Sequence, residues 1–334
     1  MAVYIIAEAG VNHNGSLENA KKLVDMAQES GADAVKFQTF KAEESTGITA
    51  EKAEYQKKND PTQETQLDMI RKLELPFSDF AIIKDYCQEK GIDFISTPDG
   101  EASLECLVDL DVPLIKVGST EVTNLYFLEK IAETMKPVIL STGMSTLGEI
   151  EKALDVMWKT GNNNIQLMHC TTDYPTKIDD VNLRAMVSLR EAFQVSVGYS
   201  DHTLGCEAAI SAVVLGASSI EKHITLDRDM EGPDHKASMP PSEFKNYVQS
   251  IRNTERLLGD GRKRPTQNEI EIMKQVRRSI LTNEVLDKGT VLTKDMFCYK
   301  RPGTGIAPEY ADLLVGRTLK RELSKEEIIT WDDV

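Results

Sequence analysis

The stretch "VYIIAEAGVNHNGSLENAKKLVDMAQESGADAVKFQT", residues 3 to 39, changes its hydrophobic period twice. Its two ends, "VYIIAEAG" (3 to 10) and "AVKFQT" (34 to 39), are apolar runs of strand length. Between them Leu17, Ala20, Leu23, Val24 and Ala27 recur at the spacing of one helix face. Ser16 stands where an N-cap belongs, and Gly31 where the chain must leave the helix. The unit reads strand, helix, strand.

Downstream the same grammar recurs. Further strands are expected at 93 to 97, 114 to 119, 138 to 143, 165 to 170, 195 to 201 and 219 to 224, which makes eight in all. Helices fit 78 to 90, 101 to 109, 124 to 135, 181 to 193, 204 to 215 and 241 to 258. One more is marked by the capping-box pair Thr146 and Glu149, the apolar face of Leu147, Ile150, Leu154, Met157 and Trp158, and a stop at Gly161. Eight such units in about 250 residues match a (β/α)8 barrel. An open doubly wound sheet is disfavoured, because no glycine-rich dinucleotide loop follows the first strand.

The expected fold is therefore α/β: a (β/α)8 TIM barrel over residues 1–260, a linker over 261–278, and a small β-rich domain over 279–334. The linker opens with glycines, basic residues and Pro265 and runs into a polar helix; the tail has tight turns at "DKG" and "RPGTG". A tail of that size is marginal alone and calls for a surface to dock on.

Composition narrows the function. A formal charge of -15 argues against broad attraction to nucleic acid or acidic lipid, so an anionic ligand must meet a local cluster of Lys and Arg. No apolar run reaches the roughly 20 residues of a membrane span, and the start "MAVYIIAEAG" lacks the charge and cleavage site of a signal peptide. The expectation is a cytoplasmic protein. Its five cysteines form no CxxC pair and read as reduced thiols.

Barrel chemistry sits at the C-terminal ends of the strands. Those ends carry Glu8, Asn12, Lys36, Gln38, Thr97, Lys116, Ser119, Glu121, Ser141, His169, Tyr174, Asp201, His202 and His223. A single histidine there is more often structural than a ligand. Two on neighbouring strands are different: His202 and His223 would share one divalent ion, with Asp201 orienting His202. With no cysteine pair, the remaining positions fall to water, a carboxylate or substrate, which suits Lewis-acid activation of a carbonyl. His235 reads as a loop residue, and His13 stays open.

Lys36 and Lys116 lie on otherwise apolar strands, where an unpaired ammonium is costly. Ion pairs with Glu8 or Glu121 would account for them. In so acidic a chain the preferred reading is a pair of cations gripping a phosphate or carboxylate, helped by the hydroxyls of Thr97, Ser119 and Ser141.

In order along the chain, "AEAGVNHNGS", "VKFQTFKAE", "STP", "STGM", "YPT", "SDHT", "EKHITLD", "GPDHKAS" and "KRPGTGI" together resemble the sialic-acid synthase family, which makes N-acetylneuraminate and related nonulosonic acids. The resemblance implies a transferase condensing phosphoenolpyruvate with an N-acylmannosamine-type sugar, with N-acetylneuraminate as the expected product and N,N'-diacetyllegionaminate as the alternative. It makes the tail an antifreeze-like SAF domain.

Position by position, the resemblance assigns manganese or magnesium to His202 and His223, and phosphoenolpyruvate to Lys36, Thr97, Lys116, Ser119 and Ser141. It gives the sugar to Gln38, Tyr174 and Asp234, and proton transfer and water activation to Glu8 and Glu121. It also implies a swapped homodimer whose SAF domain brings Arg301 to the N-acyl group in trans. Asp99 and Thr120 depart from the family's usual residues and leave the exact sugar open. A metal or Schiff-base aldolase using Lys116 and a carbohydrate- or ice-binding protein with a degenerate barrel are the competing readings; the intact rim of ionisable residues disfavours the second.

Overall fold

The computed structural model describes residues 2–47, 50 and 65–334. The opening unit forms β1 (Tyr4–Gly10), α1 (Leu17–Ser30) and β2 (Ala34–Phe40). Ser16 accepts the Asn19 amide at 3.3 Å, and Gly31 leaves the helix at φ 84°, a left-handed conformation open to glycine at little cost. Ala20, Leu23, Val24 and Ala27 are the buried face.

Six further strands complete the sheet: β3 (Asp93–Asp99), β4 (Ile115–Val117), β5 (Val138–Ser141), β6 (Ile165–His169), β7 (Val197–Asp201) and β8 (Ser219–His223). They pair in sequence order, all parallel, and β8 returns to β1 to close the barrel. Glu8 thus stands in register with Lys36 on one side and His223 on the other. Two helices that the sequence reading did not anticipate, α2 (Ala42–Ser45) and α3 (Gln66–Leu73), follow β2. One turn of helix carries no periodic signal, and eight residues carry little.

The outer layer continues with α4 (Phe77–Lys90), α5 (Glu101–Asp109), α6 (Leu125–Glu133), α7 (Leu147–Lys159), α8 (Arg184–Phe193), α9 (Glu207–Val214) and α10 (Pro241–Leu258). Strand parity divides the core between two clusters. Outward residues such as Ile5, Val35, Phe94 and Leu140 join the helix faces in the large cluster; Ile6, Ala34, Ile95, Ile139 and Met168 form a separate plug inside the barrel. Two residues beyond that plug, the inward positions are Glu8, Lys36, Thr97, Ser141 and Cys170, all lining one cavity. The apolar floor and the polar site are successive layers of the same strand face.

The chain divides into two compact units, Met1–Gly259 and Asp260–Val334. The second begins with α11 (Gln267–Val276), capped reciprocally by Thr266 and Glu269, and contains an antiparallel pair, β9 (Ser279–Thr282) and β10 (Phe297–Lys300). Ile280, Leu286, Leu292, Phe297, Leu314, Leu323 and Ile329 belong to its own small core. Among the described residues no helix is long and apolar enough to cross a membrane.

Candidate active site

Lys36 Nζ lies 2.8 Å from Glu8 Oε1 and 3.3 Å from Thr97 Oγ1. Lys116 Nζ donates to Ser141 Oγ at 2.7 Å. Between the two amines stands Glu221, its Oε2 3.8 Å from Lys36 and 3.6 Å from Lys116, its Oε1 accepting Ser200 Oγ at 3.0 Å. All four ionisable side chains are nearly water-free. Burial drives the Lys116 pKa down. It acts the same way on Lys36, but the attraction of Glu221 and Glu8 outweighs it and leaves that amine raised. Burial raises Glu8, against the pull of Lys36, whereas for Glu221 the two lysines overrule burial and hold the carboxyl low. Glu8 Oε2 and Glu221 Oε2 are buried without a hydrogen-bond partner. Two cations and two carboxylates half satisfied by one another are poised to re-pair with an incoming anion.

Ser119 also lines the cavity. Its Oγ accepts the Gly143 amide at 2.9 Å and contacts Cys170 Sγ at 3.3 Å. A Cβ at Gly143 would sit 2.9 Å from Ser119 Oγ and 3.0 Å from Cys170 Sγ, so only glycine lets the chain pass here.

The histidines of β7 and β8 meet on the same wall. The rings of His202 and His223 have centroids 5.7 Å apart, and the Tyr174 ring lies 4.2 Å from the first and 5.6 Å from the second. His202 Nδ1 is hydrogen-bonded to the Thr171 carbonyl at 2.7 Å, and its Nε2 to Ser200 Oγ at 3.2 Å. The carbonyl requires the proton on Nδ1 and leaves Nε2 a lone pair. Burial lowers both imidazoles, so they are neutral donors at physiological pH, and His223 Nδ1 is buried with no partner. This donor set fits a divalent ion. Among the described residues no group of three His, Cys, Asp or Glu side chains has metal-holding geometry.

The expected link from Asp201 to His202 is not made. Asp201 Oδ1 accepts the Thr203 amide and hydroxyl at 2.9 and 2.7 Å; Oδ2 accepts Tyr247 OH at 2.9 Å and pairs with Lys222 at 3.1 Å. Successive residues of a strand face opposite ways, so Asp201 points to the helix layer while His202 points to the cavity. His169 Nε2 bonds the Val181 carbonyl at 2.8 Å and stays off the cavity lining. His235, read as a loop residue, lies in the connection after β8 and is fully buried there, its Nδ1 2.7 Å from Thr225 Oγ1. His13 is buried too, with Nδ1 accepting the Gly15 amide at 3.1 Å.

The cavity brings together Glu8, Lys36, Gln38, Thr97, Lys116, Ser119, Ser141, Tyr174, His202, His223 and Asp234. Gln38 Nε2 donates to Glu8 Oε1 at 3.2 Å, and burial pushes Asp234 up to about 6. Glu121 is not in the lining; its Oε2 accepts Asn124 Nδ2 at 2.7 Å. Arg301 is an exposed residue of the second unit. Sequence reasoning missed Glu221 and Ser200. Both stand two residues before a rim histidine, so strand parity was the signal that would have found them.

The NeuB family pattern covers residues 23–263, and the SAF domain pattern residues 277–334. The chain belongs to the NeuB family. An N,N'-diacetyllegionaminic acid synthase of Legionella pneumophila is 47% identical over 100% of this chain and 95% of its own length. The protein of the same description from Campylobacter jejuni is 45% identical over 97% of this chain and 98% of its own. Among solved structures, the N-acetylneuraminic acid (sialic acid) synthetase of Leptospira borgpetersenii superposes with a TM-score of 0.73 at 33% identity, covering 82% of this chain and 90% of its own. NeuB-family membership and the barrel with its SAF tail agree with the resemblance and make the chain an enzyme, a carbon–carbon bond-forming synthase.

Proposed function

We propose that this NeuB-family enzyme condenses phosphoenolpyruvate with 2,4-diacetamido-2,4,6-trideoxymannose to give N,N'-diacetyllegionaminate and phosphate. The reading is carried by the cavity itself, which two buried amines and two imidazoles line together. For the sugar, the 47% and 45% identities to legionaminic acid synthases against 33% to an N-acetylneuraminic acid synthetase favour the alternative product, and the N-acetylneuraminate expectation gives way to it.

In this reading Lys36 and Lys116 neutralise the anionic enol phosphate, and Thr97, Ser119 and Ser141 supply hydroxyl donors. His202 and His223 would hold a divalent ion, which supplies Lewis-acid polarisation of the sugar aldehyde when bound. Gln38, Tyr174 and Asp234 orient the sugar against the enol carbon. C3 of the enolpyruvate bonds to the aldehyde carbon, water adds at C2, and phosphate leaves by C–O cleavage. Glu8, whose carboxyl is raised by burial, holds or releases a proton beside C2 at Oε2. Glu121, outside the lining, is proposed only as the second carboxylate for the attacking water. The SAF unit of a second copy closes the cavity and brings Arg301 to an acyl group, in a swapped homodimer.

The test is phosphate release from phosphoenolpyruvate with manganese and either the diacetamido sugar or N-acetylmannosamine. A kcat/KM at least about tenfold higher for the diacetamido sugar is expected. Preference for N-acetylmannosamine overturns the product; no phosphate with either sugar, with borohydride trapping of Lys116 by a keto substrate, overturns the reaction.

A further inference from the structure

Beyond the lysine layer the cavity reaches the ends of β2 and β3, where its wall is of two kinds. Val11, Phe40 and Leu73 form a buried apolar cluster with Ile70 packed against it, and all four line the cavity. Asp99 lines it beside them, its Cα in register with Phe40 across the β2–β3 ladder. Parity places Asp99 on the inward face with Ile95 of the plug and Thr97 of the lysine layer. Among the described residues no hydrogen bond or ion pair within 4 Å is made by its carboxylate, and burial and the nearby charge of Glu121 push it up to about 6 against the weaker pull of Lys36.

An unpaired carboxylate repels an enol phosphate, so this end of the cavity belongs to the neutral substrate. What it offers is one strong acceptor next to an apolar wall. A hydroxyl would satisfy the acceptor and leave the wall wet. An acylamino group satisfies both, donating N–H to the oxygen and laying its methyl on the hydrocarbon.

We infer that Asp99 is a specificity residue that accepts the N–H of the sugar's second acylamino group, at C4, while Phe40, Ile70, Leu73 and Val11 receive that group's methyl. The inference rests on the diacetamido-sugar reading above. It assigns the choice of sugar to the β2–β3 rim, apart from the groups that hold phosphoenolpyruvate.

The experiment compares two sugars that differ only at C4, the diacetamido-trideoxymannose and 2-acetamido-2,6-dideoxymannose, with phosphoenolpyruvate and manganese. Asp99→Ala should raise the KM of the diacetamido sugar about 10- to 100-fold, leave the phosphoenolpyruvate KM within about twofold, and erase the wild-type preference between the sugars. Asp99→Asn, which keeps an acceptor oxygen, should recover part of the preference, and Phe40→Ala should lower it; these two decide the matter if the alanine variant does not fold. Equal effects on both sugars, or an unaltered preference, overturn the role of Asp99. Wild-type enzyme that releases no phosphate with the diacetamido sugar overturns the product reading itself, before any variant is made.

Discussion

Replacing Asp201 by alanine separates two jobs that its place next to His202 confuses. Its oxygens hold Thr203, Tyr247 and Lys222, and none of those bonds reaches the imidazole. Lys222 and Tyr247 are each 1% exposed, so water cannot replace the lost partner. At 3.1 Å and an effective dielectric of about 20 the ion pair is worth about 5 kcal/mol of Coulomb energy, most of it spent on desolvation in the intact protein. The variant keeps the desolvated ammonium and the phenol but loses the attraction. Lys222 retains the Thr203 carbonyl as an acceptor, which limits the damage. The expected loss is about 3–5 kcal/mol for Asp201→Ala, and less for Asp201→Asn, which still accepts the Tyr247 hydroxyl.

The assay is urea unfolding in a Trp331→Phe background, where Trp158 on α7 reports the barrel unit alone. Manganese affinity is titrated in parallel and should stay within about threefold of wild type. A stability loss below about 1 kcal/mol, or a tenfold fall in manganese affinity with an unchanged midpoint, would show that Asp201 works through His202 after all.

His223→Ala should cut manganese affinity at least about tenfold and abolish phosphate release while leaving the circular dichroism unchanged, since the ring stands above the apolar plug; full activity would remove the metal from this site. Arg301→Ala should raise the sugar KM at least about tenfold and leave that of phosphoenolpyruvate nearly alone, equal effects removing it from the acyl group. Mixed with the inactive His223→Ala protein it should recover a population of sites with the wild-type sugar KM if the SAF unit closes a partner's barrel, and show only the raised KM if each chain closes its own. Asp234 loses its charge as pH falls through about 6, because burial raises its carboxyl. If it accepts sugar hydroxyls, the sugar KM at saturating phosphoenolpyruvate rises below that pH, a rise that Asp99 shares, and Asp234→Asn makes the profile shallower; an unchanged slope sinks the assignment.

The barrel was legible because its signal is periodic and repeated. Each strand and helix reports itself through residues such as Leu17, Ala20 and Val24, and a slip of one residue leaves the pattern readable. The rim was legible only where a residue type is rare in a strand. Lys36, Lys116, His202 and His223 stood out on that ground. Glu221 did not, since a carboxylate two places inside a strand end resembles a solvated edge until closure surrounds it with lysines. Asp201 misled because adjacency in sequence was taken for adjacency in space. The partners of His235 lie ten and 221 positions away, at Thr225 and Asn14, and no local pattern announces them.

Parity also explains why two successive strands end alike, as Ser200-Asp201-His202 and Glu221-Lys222-His223. In each triplet the outer two residues face the cavity and the middle one faces the helices. The inward set leaves two buried atoms without a hydrogen-bond partner, Glu221 Oε2 and His223 Nδ1, on residues that line the cavity. The outward pair, Asp201 with Lys222, is closed on itself and on Tyr247. A polar residue on the outer face of a barrel strand would ordinarily weaken helix packing; an ion pair shared by neighbouring strands cancels that cost and at the same time ties β7 to β8 at the height where the imidazoles must meet. A one-residue slip between these strands would unpair both charges and separate the two rings together. The register that keeps the fold intact is therefore the register that builds the site.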